Sequence, residues 1–175
     1  MEINKDIIKS LNPSLLKLNN YLYHYENFNG NLRDFLELDN IYYYNKVWII
    51  TKLFNRKQNV KFAILCAKSV IDVFEKKYPN DKRPRLALES TEKWLANPTK
   101  DNESACKKAA ITVYSASYSA PNAAFNAASY AHYASYAYYA YDAACDAAYY
   151  ACSAAENKKA QEKLNLSFLL EAEKI

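Results

Sequence analysis

Apolar residues recur along most of the chain at spacings of three and four, the mark of one buried helical face. The clearest run is Val60, Ala63, Ile64, Ala67, Val70, Ile71 and Phe74, which predicts one helix from Val60 to Tyr78. Pro79 ends it, because a proline pushes the preceding residue out of helical geometry, and Asp81 is placed to cap the next helix. That helix, about Lys82 to Leu95, gathers Leu86, Ala87, Leu88, Thr91, Trp94 and Leu95 mostly on one side, and Asn97-Pro98-Thr99 closes it. Another is expected from about Asp101 to Ser119, ahead of Pro121. Upstream, Asn12-Pro13 reads as N-cap and first-turn proline before Leu15, Leu16 and Leu22. Asn27 to Asn31 reads as a turn, Leu32 to Leu38 as a short amphipathic piece, and Asn40 to Tyr44 as a connector. Lys46 to Phe54 is set to bury Val47, Trp48, Ile50 and Leu53. Its β-branched and aromatic content suits a strand, but no partner strands appear elsewhere, so helix is the stronger reading.

The pattern changes from Asn122 to Ala155, a stretch built almost wholly of Ala, Tyr, Ser, Asn and Asp. Alanine is the best helix former. At about 100° per residue, Ala123, Ala124, Ala127, Ala128, Ala131 and Ala134 form one stripe. Ala137, Ala140, Ala143, Ala144, Ala147, Ala148, Ala151, Ala154 and Ala155 form another on nearly the opposite side. A single helix of about 34 residues would be about 50 Å long, longer than a compact domain of this size is wide. Two packed helices, broken between Tyr133 and Tyr141, are therefore expected. Small residues let helix backbones approach, and tyrosine adds flat area with a polar tip. The stretch reads first as a tightly packed layer and second as a tyrosine-rich surface for a protein partner.

Composition narrows the chemistry. The chain has 175 residues, 17 Tyr and a single Gly, Gly30. Without glycine there is no material for phosphate loops, dinucleotide fingerprints or nucleophile elbows. The expected product is an all-α, compact multi-helix bundle in one domain over residues 1–175. Residues 1–100 would form amphipathic helices, 101–155 the Ala/Tyr-rich helices and 156–175 a C-terminal helix. More than about 60% helix and no sheet beyond one hairpin are expected, against a base rate near one third.

The net charge of +4 is spread unevenly. Residues 1–60 have two more basic than acidic side chains, 61–108 four more, and 109–175 two fewer. Acids interrupt the basic residues everywhere, which disfavours nucleic acid as a partner, since that would need a cleaner basic stripe. From Ala109 to Tyr141 no residue carries a formal charge, yet Ser, Asn, Tyr and Pro121 make this segment too polar for lipid, and no membrane span is expected. The opening Met1-Glu2-Ile3-Asn4-Lys5-Asp6 does not resemble a secretory signal. The four cysteines, Cys66, Cys106, Cys145 and Cys152, show no metal-ligand spacing with His24 or His132. A cytoplasmic protein with four free thiols and no metal or cofactor follows. His132, Asp142 and Asp146 fall within about 80° on a continuous helix, but about 15 Å of axial rise separates His132 from Asp142, too far for shared coordination.

A family resemblance rests on particular blocks. Phe35-Leu36-Glu37-Leu38-Asp39-Asn40-Ile41, Lys46-Val47-Trp48, Phe62 to Ala67, Tyr78 to Ala87 and Trp94, followed by an Ala-rich half, resemble the five-like immunity family of bacterial toxin systems over about residues 30–155. The most specific piece is Asp81-Lys82-Arg83-Pro84-Arg85 ahead of an amphipathic helix. The resemblance implies an all-α fold and neutralisation of a toxin by protein contact, and it supplies no catalytic residue. The chain departs from the family in having far more Tyr and Ser in its Ala-rich half. An inhibitor of a host defence nuclease carried by a phage or mobile element is a second role for the same kind of molecule. A metal-dependent enzyme is a third and remote reading. The Asp81–Arg85 stretch reads most simply as a helix-start device in which the arginines pin neighbouring carboxylates or carbonyls, with Arg83 and Arg85 kept as candidate partner contacts. Projected away from the alanine stripes, Tyr130, Tyr133, Tyr136, Tyr138, Tyr141 and Tyr149 are the other candidates, and binding through them is expected to depend weakly on salt.

Overall fold

A computed structural model describes residues 1–117, 123–135 and 140–175. Among these, eleven helices account for well over the expected share, and the sheet is limited to two three-residue strands. In chain order they are β1 (Glu2–Asn4), α1 (Lys5–Ser10), α2 (Leu15–Tyr25), β2 (Asn29–Asn31), α3 (Leu32–Glu37), α4 (Tyr43–Leu53) and α5 (Arg56–Lys68). There follow α6 (Ile71–Lys77), α7 (Arg83–Ala96), α8 (Lys100–Ser117), α9 (Ala123–Ala134), α10 (Ala140–Ala154) and α11 (Lys158–Ala172). The fold is all-α, as expected.

Asparagine writes many of the helix starts. Asn4, Asn31, Asn55 and Asn157 each cap a helix with the side-chain oxygen, and Asn31 with Asp34 and Asn55 with Gln58 complete capping boxes. Asn12, expected to start α2, does the opposite. It sits at φ 52° and its N–H donates to the Lys9 carbonyl, so it closes α1 in the left-handed conformation that asparagine tolerates. Ser14 takes the N-cap position of α2, and Leu15 and Leu16 face solvent at 77% and 82% exposure. The segment expected to be a turn contains β2, which pairs antiparallel with β1 through Ile3 and Gly30. Gly30 is needed there for space, since a Cβ would lie 2.7 Å from the Phe28 ring.

Helix α5 is the hub. It packs against α7, α9, α10 and α11, and Asn59, Val60, Phe62, Ala63, Ile64, Cys66 and Ala67 are all buried on it. The single helix expected from Val60 to Tyr78 is two, broken at Ser69-Val70. The Ser69 hydroxyl donates back to the Cys66 carbonyl and accepts from Gln161 Nε2 at 2.7 Å, so α11 holds the break. In α4 the buried residues are Lys46, Val47, Ile49, Ile50 and Thr51, whereas Trp48 and Leu53, expected inside, are only half-buried. The helix also begins at Tyr43, inside the expected connector. Leu86 of α7, also expected on the buried side, is exposed.

The Ala-rich half is two helices packed against one another, α9 ending at Ala134 and α10 beginning at Ala140. The middles of both stripes are inside, Ala127, Ala128, Ala131 and Ala134 on α9 and Ala140, Ala143, Ala144, Ala147, Ala148 and Ala151 on α10, while Ala123, Ala154 and Ala155 are half-buried and the side chains of Ala124 and Ala137 lie outside the described residues. Buried residues from Ile3 to Ala172 form one apolar cluster. Arg56, at the start of α5, ties three helices at its edge. Its guanidinium donates to the Ser135 carbonyl just past α9, lies 3.6 Å from Glu103 and sits 4.8 Å from the Trp94 ring centre. A cation at a helix C-terminus opposes the helix dipole favourably.

Candidate functional site

The start of α4 is fixed from beneath. The Lys46 ammonium is buried and donates to the carbonyls of Leu36 at 2.7 Å and Leu38 at 2.5 Å, satisfying the end of α3. Burial lowers its pKa, and Asp39 opposes that shift. With this turn anchored, Tyr43 points inward and Tyr44 outward. The Tyr43 hydroxyl accepts from Asn165 Nδ2 at 2.7 Å, and the Cys152 thiol lies 3.7 Å away. Asn165 also bonds Ala148 O and Gln161, so a buried polar seam joins α4, α10 and α11. Burial, foremost, drives the Tyr43 phenol far above its usual range.

From Tyr43 the aromatic rings run on as a band over three helices. Tyr43 meets Tyr44 edge-on at 4.9 Å, Tyr44 meets Tyr149 at 5.9 Å, and Tyr149 meets Tyr150 at 5.2 Å. Tyr150 stacks on Tyr130 of α9 at 5.3 Å with the planes 10° apart. Such pairs are worth about 0.5–1.5 kcal/mol each beyond the area they bury. The outer edge stays wet: Tyr44, Tyr133 and Tyr149 are 38%, 45% and 49% exposed. Trp48, one turn along α4 from Tyr44, carries the Lys17 ammonium at 4.2 Å and that of Lys52 at 5.6 Å. The Lys158 ammonium stands 5.7 Å from the Tyr44 ring.

Two carboxylates accompany the band. Asp142 is exposed and Asp146 half-buried on α10. Burial raises the Asp146 pKa, and the Asp142 charge adds to it. Asp146 and the neighbouring tyrosines Tyr150 and Tyr133 add to the burial that raises the Tyr130 phenol.

The expected site residues fall into three groups. Tyr133 and Tyr149 have exposed rings, and Tyr130 is half-buried in the stack. Tyr136, Tyr138 and the side chain of Tyr141 lie outside the described residues. Arg83 and Arg85 are far from the band in sequence and are held in ion pairs. Arg83 grips Asp81 at 2.6 Å, and Arg85 clasps Glu75 at 2.7 Å and Asp72 at 3.3 Å, fastening α7 to α6. These partners hold the Asp81 and Glu75 carboxyls below their usual range, hydrogen bonding from the arginines being the main cause. Asp81 also accepts from the Arg83 backbone N–H at the helix start, although the N-cap position expected for Asp81 is held by Lys82, without a side-chain cap bond.

His132 is fully buried, with Nδ1 3.1 Å from the Thr91 hydroxyl of α7. Burial pushes its pKa down to about 4, against backbone hydrogen bonds at Ala87 and Cys106. Among the described residues no three His, Cys, Asp or Glu side chains gather as metal ligands, and no helix is long and apolar enough to cross a membrane. All four cysteines are free. Burial pushes the Cys145 thiol up to about 11 and raises the Cys66 thiol well above its usual range, which makes poor nucleophiles of both.

Sequence reasoning missed Tyr44, Trp48 and Tyr150 as members of this surface. The run Tyr42-Tyr43-Tyr44 was the available signal, an unusual aromatic density for a connector. A family model described as "Imm-5 like putative immunity protein" matches residues 50–171, which takes in only the last turn of α4, all of α5 to α10 and nearly all of α11, and leaves Tyr43, Tyr44 and Trp48 outside it. Searches of curated proteins and of solved structures found no match.

Proposed function

The chain belongs to the Imm-5 like family of immunity proteins, and from that premise we propose that it neutralises a cognate bacterial toxin by direct contact through the tyrosine band of α4, α9 and α10. The observation that carries this reading is the linked series of rings from Tyr43 to Tyr130, wet along one edge and rooted in the core along the other. Tyrosine dominates binding hot spots because it gives up large flat area at little entropic cost and still offers a hydroxyl. A band already braced by ring contacts gives up less freedom on binding than isolated side chains would. Inhibition by such a surface needs no chemistry of its own.

The test is co-expression with the toxin domain encoded beside the gene. The chain should restore growth, and Tyr44→Ala/Tyr149→Ala should weaken toxin binding about tenfold or more, with little dependence on salt. Failure to restore growth, or full affinity in that variant, would overturn the reading. A steep salt dependence that tracked Arg83 and Arg85 would move the site to the α6–α7 corner.

A further inference from the structure

From Ala109 to Ala155 the only formal charges are Asp142 and Asp146. They stand one turn apart on α10, and Tyr150 follows Asp146 by one further turn. Tyr130 approaches the same stripe from α9, stacked flat on Tyr150 and close enough to Asp146 to feel its charge. Among the described residues, ion pairs join Glu26, Asp72, Glu75, Asp81, Glu92, Glu103, Glu171 and Glu173 to cations, and other acids such as Glu37, Glu89 and Glu162 appear in none, so what sets Asp142 and Asp146 apart is their place beside the stacked rings. Neither Asp142 nor Asp146 has an ion-pair partner among the described residues. The ammoniums of Lys17 and Lys52 lie over Trp48.

We propose that this part of the band is built to receive an arginine-bearing segment of the partner, the guanidinium lying against the Tyr130–Tyr150 stack and donating to Asp142 and Asp146. The charge complementarity is specific in kind. A half-buried carboxylate with no counter-ion gains most from an arriving cation. Of the two basic side chains, arginine alone is planar, so it can stack on a ring while forking onto a carboxylate. The opposite choice, an acidic guest, would meet two uncompensated negative charges. This inference rests on the toxin-binding reading for its biological partner, but the site can be probed without one.

The probe is a blocked pentapeptide carrying two arginines, titrated into the isotope-labelled full chain and followed by NMR, beside matched peptides carrying lysines or glutamates. The arginine peptide should give saturable shifts at Tyr130, Tyr133 and Tyr150, the lysine peptide a weaker response and the glutamate peptide none. Asp142→Asn/Asp146→Asn, checked for unchanged helicity, should weaken arginine-peptide binding at least about tenfold. An equal response to glutamate, an unchanged response in the Asn variant, or no saturable shift would overturn the proposal. In the growth assay, loss of protection by Tyr44→Ala/Tyr149→Ala with full protection by the Asn variant would sink the arginine contact and leave toxin binding standing. The expected peptide response from a chain that gives no protection would do the reverse.

Discussion

Helices α5 and α10 lie against one another and bury their faces by different means. Phe62, Ile64 and Val60 make α5 a conventional hub of large side chains that fill space between helices. On α10 the buried face is alanine at positions 143, 144, 147, 148 and 151, matched by alanines 127, 128, 131 and 134 of α9. Alanine fills little volume but lets backbones close in, so the layer is packed by proximity and its large residues are left for other surfaces. The tyrosines of α9 and α10 are those leftovers, and they line the band proposed as the binding surface. A core of bulky side chains spends its aromatics inside, while a core of small ones releases them to the outside.

Cavity formation should separate the two regions most sharply. Phe62→Ala removes a ring with no exposure at the hub and is expected to destabilise by about 3–5 kcal/mol. Chemical denaturation measures this, and a loss under about 1 kcal/mol would mean that α5 is not the hub its burial indicates.

Next in size is a pH effect beside the alanine layer, where His132 of α9 meets Thr91 of α7. Its folded-state pKa of about 4 lies below the ordinary 6.5. Between these values the unfolded chain binds a proton that the folded chain refuses, so stability falls as pH drops from about 6.5 to about 4. The loss is on the order of 3 kcal/mol, complete near pH 4 and absent above about 7. Denaturation midpoints over that range should flatten in His132→Gln after allowance for the carboxylates. An unaltered slope would show that the ring is solvated in the folded state.

Overpacking is the complementary probe of the alanine layer. Ala144→Leu adds volume where nothing is exposed and is expected to destabilise by about 1–3 kcal/mol. A neutral result in thermal unfolding would show slack between α9 and α10 and weaken the contrast with α5.

The amino-acid pattern by itself determined the all-α class, the positions of the alanine stripes and the start of α7 in the Asp81–Arg85 stretch, whereas the expected separation of α9 from α10 rested on the width of a compact domain. Stripes and helix starts are local matters: a stripe is set by spacing along one helix, and a cap by residues three apart. Only the tertiary structure decided that the helix expected from Val60 to Tyr78 breaks at Ser69, because the group that holds the break is Gln161, 92 residues away. It also decided that Tyr44 meets Tyr149, that Trp48 is half outside under two lysines, and that His132 is sealed against Thr91 while Asp142 is exposed and Asp146 half-buried. Periodicity states which side of a helix is apolar, but the neighbour that covers that side is chosen by packing among all the helices at once, and the band exists only where α4, α9 and α10 are brought together.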